Sequence, residues 1–485
     1  MKKVRYSIVF VWMLLVIQAK AQELTLKRIF DDGLAQSSYI LMDNTSKEAV
    51  VIDPRKDIQI FIDTLSSLGA KVKYVTETHI HADYLSGARE LAQFTDATLA
   101  LSKAGPIEWQ YRFDYQPLKK GDYLAFGSFT LQVLHTPGHT PESISFLLFN
   151  NKDLRTPLKA FTGDFLFVGD AGRPDLLEKY EEGDKSSISS AKQLYNSIEE
   201  FRKLPDDLEI WPGHGAGSFC GKTLSTVPFS TLKAEKLTNK ALQFSGNQVE
   251  FINYILADQV VPPAYFKLMK EWNRDGSNHK FTVNRYAEIG QSDLLNLINN
   301  GVTVIDTRSR QTVAQGYFPQ TIHIELNKSF SNWFTQIVDH HDQVIFIVDK
   351  AKENELAKKM MRIGFENVLG VTYDIAPLDK KKITYVKPEK VFETIGNKGV
   401  TAWDIRTATE YKEGHISGFQ NMPLTEIAVE AQMLDKTKPI VIHCQSGARA
   451  AIGYSIFDKL GFTDITIYNG GINEWKELGN KLVSE

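Results

Sequence analysis

The sequence predicts an α/β protein of several domains, and three observations carry that prediction. From Leu24 to about Pro212, short apolar runs alternate with helical stretches, the pattern of sheets covered by helices. Further along the chain repeats itself: Val302-Thr303-Val304-Ile305-Asp306-Thr307-Arg308 returns as Val400-Thr401-Ala402-Trp403-Asp404-Ile405-Arg406, at an offset of 98. Finally, 485 residues at 42% hydrophobic and 24% charged have ordinary globular proportions and the length for roughly three domains.

The first segment is not part of that fold. Lys2, Lys3 and Arg5 precede an apolar run from Ile8 to Ile17, and Ala19-Lys20-Ala21 supplies small residues around a cleavage point. This reads as a secretory signal over residues 1–21, cut before Gln22. The apolar run is shorter than the roughly 20 residues that span a bilayer, so no stable membrane insertion is expected after cleavage. The mature protein is expected to be exported, to the periplasm. Lys2, Lys3, Arg5 and Lys20 leave with the signal, which takes the net charge from −3 to −7. An acidic chain without a basic run has no electrostatic footprint for nucleic acid. Two cysteines, Cys220 and Cys444, cannot form a disulfide framework, so each thiol is kept for reactivity or packing.

A first domain is expected over residues 22–275. Its strands include Glu48 to Pro54, Val72 to Thr76 and Phe129 to Leu134, with helices over 190–204, 228–244 and about Phe266 to Trp272. Val261-Pro262-Pro263 interrupts the pattern, and Asp275-Gly276-Ser277-Asn278 marks a linker. Two units of about 95 residues follow, at 283–380 and 388–485. Gly316-Tyr317-Phe318 and Gly414-His415-Ile416 keep the offset of 98, while Ile363-Gly364-Phe365 and Leu460-Gly461-Phe462 lie 97 apart. This period is too long for a solenoid and fits a duplicated domain.

Within the first domain, His79-Ile80-His81-Ala82-Asp83 is followed by Thr136-Pro137-Gly138-His139, Thr162-Gly163-Asp164 and Pro212-Gly213-His214-Gly215. Four of eleven histidines therefore lie just beyond strands, on loops where distant sequence can converge. Imidazole and carboxylate in this arrangement suit a divalent ion. The pattern resembles the metallo-β-lactamase superfamily motif H-x-H-x-D-H followed by His, Asp and His. That resemblance implies an αββα sandwich with a metal site at the edge of its two sheets. Tyr84 stands where the superfamily places a second-metal histidine, which favours a mononuclear site.

Two longer stretches, Gly163 to Leu177 and Gly213 to Lys222, resemble the persulfide dioxygenase branch, in particular its fusions with rhodanese domains. The resemblance implies one Fe(II) per chain held by His79, His139 and Asp164, with open positions for substrate and O₂. His81, Asp83 and His214 then orient those ligands or form a weak second site. Zinc is the alternative metal. Arg173 matches a substrate-binding position and could clamp a carboxylate such as that of glutathione, or else pair with Asp170 or Asp175. Cys220, close behind His214, is either a substrate-site residue or a packed thiol.

At the far end, Ile440-Val441-Ile442 reads as a buried strand, and Cys444-Gln445-Ser446-Gly447-Ala448-Arg449 leads from it into a helix. Such a turn directs backbone N–H groups inward, an environment that favours a reactive thiolate. The segment, with Asp404-x-Arg406, Gly414-His415-Ile416 and Gly470-Gly471-x-x-x-Trp475, resembles the rhodanese active loop. The implied chemistry is sulfane-sulfur transfer through a Cys444 persulfide, with Gln445, Ser446, Gly447 and Ala448 as the anion loop and Arg449 adding positive charge. The first repeat carries Asp349 at the cysteine position and is expected to be inactive.

The fold expected is thus a metallo-β-lactamase αββα sandwich followed by two rhodanese-like α/β domains. The expected function is oxidation of a small persulfide, such as glutathione persulfide, by O₂ to sulfite and thiol, coupled to thiosulfate or persulfide exchange at Cys444. Two other readings stand beside it: a zinc-dependent thioester hydrolase of glyoxalase II type with an attached rhodanese, and a non-enzymatic sulfur carrier or redox sensor.

Overall fold

The computed structural model describes residues 23–174, 183–257, 262–276, 285–373, 375, 381–396 and 399–484. The expected signal lies outside these residues, as do Asp175, Leu176, Leu177, Val261, Ser277 and Asn278. Among the described residues no helix is long and apolar enough to cross a membrane.

Two six-stranded sheets face each other in the first half of the chain. One is ordered β1 (Leu24–Asp31), β2 (Gln36–Asp43), β3 (Glu48–Ile52), β4 (Lys71–Thr76), β5 (Thr98–Ser102) and β6 (Gln116–Leu118). In the other, β7 (Tyr123–Phe126), β8 (Phe129–His135), β9 (Ile144–Asn150), β10 (Lys159–Gly163), β11 (Glu209–Pro212) and β12 (Ser230–Thr231) are neighbours in sequence order. Successive strand side chains point to opposite faces, and here both faces are apolar. Tyr39, Leu41, Val50 and Ile52 pack between the sheets against Leu131, Val133, Phe146 and Leu148. Ile40, Met42, Ala49 and Val51 turn outward to Phe61 and Leu91, on helices Gln59–Leu68 and Ala88–Thr95. Leu147, Phe149, Ala160 and Ile210 do the same against Leu194 and Ile198 of helix Gly183–Phe201. This double-sided burial produces the αββα layering that the motifs implied.

The helix expected over 228–244 is divided. It opens as β12, continues as helix Leu232–Thr238, and resumes after Asn239 as a 3₁₀ turn, Lys240–Phe244. Asn239 leaves the helical region at φ −73°, ψ 122°. Its side chain caps Ala241 N–H and donates to the carbonyls of Phe167 and Asp170, so it is recruited by the loop that follows β10.

The duplication is visible in two all-parallel sheets. The first is ordered β14 (Ile322–His323), β13 (Thr303–Asp306), β15 (Val344–Ile347), β16 (Val368–Thr372). The second repeats this as β19 (Gln420–Asn421), β18 (Thr401–Asp404), β20 (Ile440–His443), β21 (Ile465–Tyr468), and adds β17 (Thr384–Tyr385) at its edge. β15 and β20 are buried throughout, as central parallel strands covered on both faces should be. The register corrects one expectation. Asp306 pairs with Ile347 and, in the second unit, Asp404 with His443. The residue after each strand is therefore Val348 or Cys444, so the counterpart of the cysteine is buried Val348, and Asp349 lies one residue further on in a longer loop. Neither residue supplies a thiol.

The parts are closely joined. Tyr265 and Phe266 of helix Tyr265–Asp275 share one apolar cluster with Phe330, Phe334 and Phe365 of the first repeat and with Ile442, Cys444 and Phe457 of the second. Arg362 of the first repeat bonds Asp57 at 2.5 Å and also pairs with Asp31, and its carbonyl accepts Leu85 N–H at 2.7 Å. The loop carrying His81 and Asp83 is thereby fastened to the repeat behind it.

Candidate functional site

β4 ends at Thr76, and the loop beyond it carries His79, His81 and Asp83 into the interior between the sheets' ends. His139 follows β8, Asp164 follows β10 and His214 follows β11. The structure brings three of these together: donor atoms of His79, His139 and Asp164 lie within 4.8 Å of one another, all buried. Asp164 Oδ2 is 3.9 Å from His79 Nε2 and 3.6 Å from His139 Nε2. Such separations suit three donors around one ion at bonds of about 2.0–2.2 Å.

The other atoms of these residues are already engaged. His139 Nδ1 donates to the carbonyl of Arg173 at 2.9 Å. His79 Nδ1 lies 3.0 Å from Thr78 Oγ1, whose hydroxyl donates to Asp53 Oδ2 at 2.9 Å, so the threonine oxygen accepts from the imidazole. Both rings are then protonated at Nδ1 and present a bare Nε2. Burial pushes both histidines below the usual imidazole range, His79 furthest, which keeps them neutral. Asp164 Oδ1 is bonded to His214 Nδ1 at 2.7 Å, whereas its buried Oδ2 has no hydrogen-bond partner among the described residues. A buried carboxylate oxygen left bare is costly, and here it faces two bare imidazole nitrogens. The donor set fits a metal ion.

His214 is differently placed. Its Nδ1 meets Asp164 and its Nε2 meets Asp83 Oδ2 at 2.8 Å, so both ring nitrogens donate and the ring is a cation between two carboxylates. Burial opposes that charge, but Asp164 and Asp83 hold its pKa well above the usual range. In return, although burial works against the Asp164 carboxylate, His214, His79 and His139 hold it far below the usual range. Donor atoms of Asp83, His214 and Cys220 form a second close group. Its histidine and aspartate satisfy each other, unlike the first group with its bare oxygen. Burial, followed by the charges of Asp164 and Asp83, pushes the Cys220 thiol well above its usual range.

His81 is outside both groups. Its Nε2 lies 3.1 Å from Asp53 Oδ1, and although burial opposes its charge, Asp53 raises its pKa to about 9. Tyr84 packs 4.4 Å from the His81 ring, and its hydroxyl lies 3.3 Å from the Asp53 carbonyl and from Gln36 Nε2. Its phenol is thus turned into the core beside Asp53. Arg173 is 1% exposed, its N–H donates to the Cys220 carbonyl at 2.9 Å, and its own carbonyl holds His139. Asp170 is occupied by Ala171, Thr223 and Tyr254.

Sequence reasoning missed Asp53, Thr78 and Glu142. Asp53, at φ +54°, also accepts from the N–H of Thr78, and Glu142 accepts Ile80 N–H at 2.8 Å while burial lifts its pKa to about 7. An aspartate ending the buried run Val50-Val51-Ile52 was the available signal. Gly163 at φ +52° completes this core: a Cβ there would lie 2.4 Å from Thr78 Oγ1.

The second candidate site lies in the last unit. Cys444 follows β20, and Gly447 N–H donates to its Sγ at 3.1 Å, at the foot of helix Ala448–Lys459. Gly447 holds φ +85°, where a side chain would meet Asn469 O at 2.3 Å. The carbonyls of Cys444 and Gln445 accept from Ile472 and Asn473, which fixes the loop from outside. Arg449 makes a two-pronged ion pair with Glu410, at 2.6 and 2.7 Å. Burial opposes that carboxylate, yet Arg449 brings its pKa to about 2. The charge expected of Arg449 is therefore shared with a carboxylate.

Comparison with known proteins fits this geometry. Residues 32–214 match the metallo-beta-lactamase superfamily, and residues 387–478 match the rhodanese-like domain. "Persulfide dioxygenase ETHE1, mitochondrial" of Mus musculus is 30% identical over 233 residues, covering 47% of this chain and 81% of its own. "Hydroxyacylglutathione hydrolase" of Rippkaea orientalis is 30% identical over 240 residues, 44% of this chain and 86% of its own. The crystal structure of a metallo-beta-lactamase from Staphylococcus aureus subsp. aureus COL aligns with a TM-score of 0.67 at 35% identity, over 73% of this chain and 100% of that one. The chain belongs to the persulfide dioxygenase family of the metallo-β-lactamase superfamily and carries a rhodanese-like domain.

Proposed function

We propose that the protein is an iron-dependent persulfide dioxygenase with an attached sulfurtransferase. The observation that carries this reading is the bare, buried Asp164 Oδ2 facing His79 Nε2 and His139 Nε2. In overall balance, a persulfide R–S–SH, O₂ and water give R–SH, sulfite and two protons. Iron held by His79, His139 and Asp164 would supply redox chemistry between an anionic sulfur and O₂.

The chain's own residues prepare that site. Thr78 and Asp53 fix His79 with its Nε2 bare, and the Arg173 carbonyl does the same for His139. His214, Asp83 and His81 orient the ligands, the first by holding Asp164 Oδ1 so that Oδ2 remains for the ion. Arg173 and Cys220 are assigned to the substrate. Thr78→Val keeps the shape and removes the hydroxyl that orients His79, so iron affinity is expected to fall by about 10- to 100-fold, measured by competition with a chelator. Unchanged affinity would detach Thr78 from the metal centre.

Cys444 is the sulfurtransferase nucleophile, with the loop Gln445, Ser446, Gly447 and Ala448 around it. It passes sulfane sulfur to sulfite to form thiosulfate, or runs the exchange in reverse. The first repeat, without a thiol, is inactive. In domain terms we assign 1–21 to a cleaved signal, 22–275 to the oxygenase, and 283–380 and 388–485 to the two repeats, in an exported, periplasmic enzyme. Metal analysis of the purified chain together with O₂ uptake on a persulfide donor tests the reading. Iron near one per chain with sulfite formation is expected. Two zincs and hydrolysis of an acylglutathione would replace it with the hydrolase reading.

A further inference from the structure

The repeat without a thiol reaches into the site of the repeat that has one. Arg310 opens helix Arg310–Gln315 of the first repeat, and its Nη1 donates to the carbonyl of Ser446 at 2.8 Å. A Cβ on Gly447 would lie 2.6 Å from that same nitrogen, so the guanidinium stands against the turn whose N–H meets Cys444 Sγ. The docking that places it there is extensive. His323 N–H donates to Ser455 at 2.9 Å, Tyr317 and Tyr454 hydroxyls lie 3.4 Å apart, Lys381 pairs with Asp458, and the Arg449 guanidinium lies 5.8 Å from the Trp333 ring.

Three arginines surround the Cys444 loop, and their charges are not equivalent. Arg406 is bonded to Asp404, and Arg449 is bonded on both prongs to Glu410. Arg310 bonds a neutral carbonyl and has no carboxylate partner among the described residues. A guanidinium has five donors, so most of this one's hydrogen-bonding capacity is open to a ligand. Nor is Arg310 a relic of the duplication. Arg308 and Arg406 occupy equivalent places and make equivalent bonds to Asp306 and Asp404, but at the same offset the counterpart of Arg310 is Ala408. The extra arginine occurs only in the copy that lacks the thiol, and its side chain crosses to the other copy.

We propose that Arg310 is a specificity-determining residue of the Cys444 site, holding the oxyanion group of a sulfite- or thiosulfate-type substrate against the thiol loop. The assignment rests on the sulfurtransferase reading of Cys444. In the step it serves, the Cys444 thiolate attacks the outer sulfur of thiosulfate and a new S–S bond forms on the protein. The original S–S bond breaks, and sulfite leaves with the electron pair. The sulfonate-like oxygens keep their negative charge on both sides of that exchange, so one fixed cation can serve donor and leaving group alike.

The test is thiosulfate-to-cyanide sulfur transfer by the full chain, read as thiocyanate. Arg310→Gln is expected to raise KM for thiosulfate about 10- to 100-fold with kcat nearly unchanged, the effect of losing a charge-assisted hydrogen bond. Arg310→Lys should restore part of the loss. A small alkyl persulfide donor without an oxyanion should show the same KM with wild type and Arg310→Gln. Unchanged KM for thiosulfate in an active Arg310→Gln enzyme overturns the proposal. So does an equal loss with both donors, because Arg310 would then only brace the loop. If the wild-type chain transfers no sulfur from thiosulfate, and Cys444→Ser behaves identically, the sulfurtransferase reading itself fails and this assignment falls with it.

Discussion

Asp164→Ala should strip most of the iron from the protein and abolish O₂ uptake. Asp164 has two roles that no neighbour can take over. Its Oδ2 is the bare oxygen facing His79 and His139, and its Oδ1 holds one side of the His214 cation. Alanine leaves two imidazoles as the only protein ligands of the group, and it leaves His214 with Asp83 alone. Loss of one of three ligands costs more than the roughly 10- to 100-fold typical of an outer partner, so metal retention should fall below detection after dialysis. Asp164→Asn separates chemistry from collapse, since it keeps the side chain's volume and removes its charge. It should remain folded by circular dichroism and still lose iron and turnover. Full iron content and full O₂ uptake in either variant would remove Asp164 from the metal centre, and with it the observation on which the oxygenase reading stands.

Cys444→Ser should reduce sulfur transfer to background while O₂ uptake from a supplied persulfide continues. The exchange is nearly isosteric, and Gly447 N–H can donate to the new oxygen as it does to Sγ, so the loop has no reason to rearrange. A serine hydroxyl stays protonated at neutral pH and cannot take up a sulfane sulfur as a thiolate does. The candidate metal donors His79, His139 and Asp164 all precede the first repeat in sequence. Product analysis gives a second readout: sulfite should accumulate in the variant where the native chain yields more thiosulfate. If O₂ uptake stops as well, the metal site receives its sulfur only through Cys444. The two sites would then form an obligatory relay, and the fusion would be part of the catalytic path.

The close packing between the parts makes such a relay a physical question. Cys220 of the first domain and Cys444 of the last belong to one continuous apolar cluster that runs through the first repeat. Leu85, next to Tyr84, is fastened to Arg362 of that repeat, and Tyr265, which donates to the Asp83 carbonyl at 2.7 Å, stacks on its His340. The repeat without a thiol is thus in contact with the loops of both candidate sites.

The sequence by itself determined the layers, the duplication and the donor residues, because each is written in a local pattern. Apolar runs between helices imply covered sheets, the candidate ligands sit immediately beyond strands, and the thiol loop is continuous from Cys444 to Arg449. The tertiary structure decided what depends on residues distant in sequence meeting. Asp53 and Thr78 are ordinary strand-end residues until the loop after β4 folds back on β3 and turns them into the support of His79. Asp349 looked like the counterpart of Cys444 by alignment of loops, but strand pairing assigns that place to Val348, because hydrogen-bond register is counted along the sheet and loop length is not. The charges of His214, Arg449 and Arg310 were undecidable from their neighbours in sequence, since a cation's availability depends on which carboxylate reaches it. Asp83 and Asp164 reach the first, Glu410 reaches the second, and among the described residues the third bonds the carbonyl of Ser446 and no carboxylate.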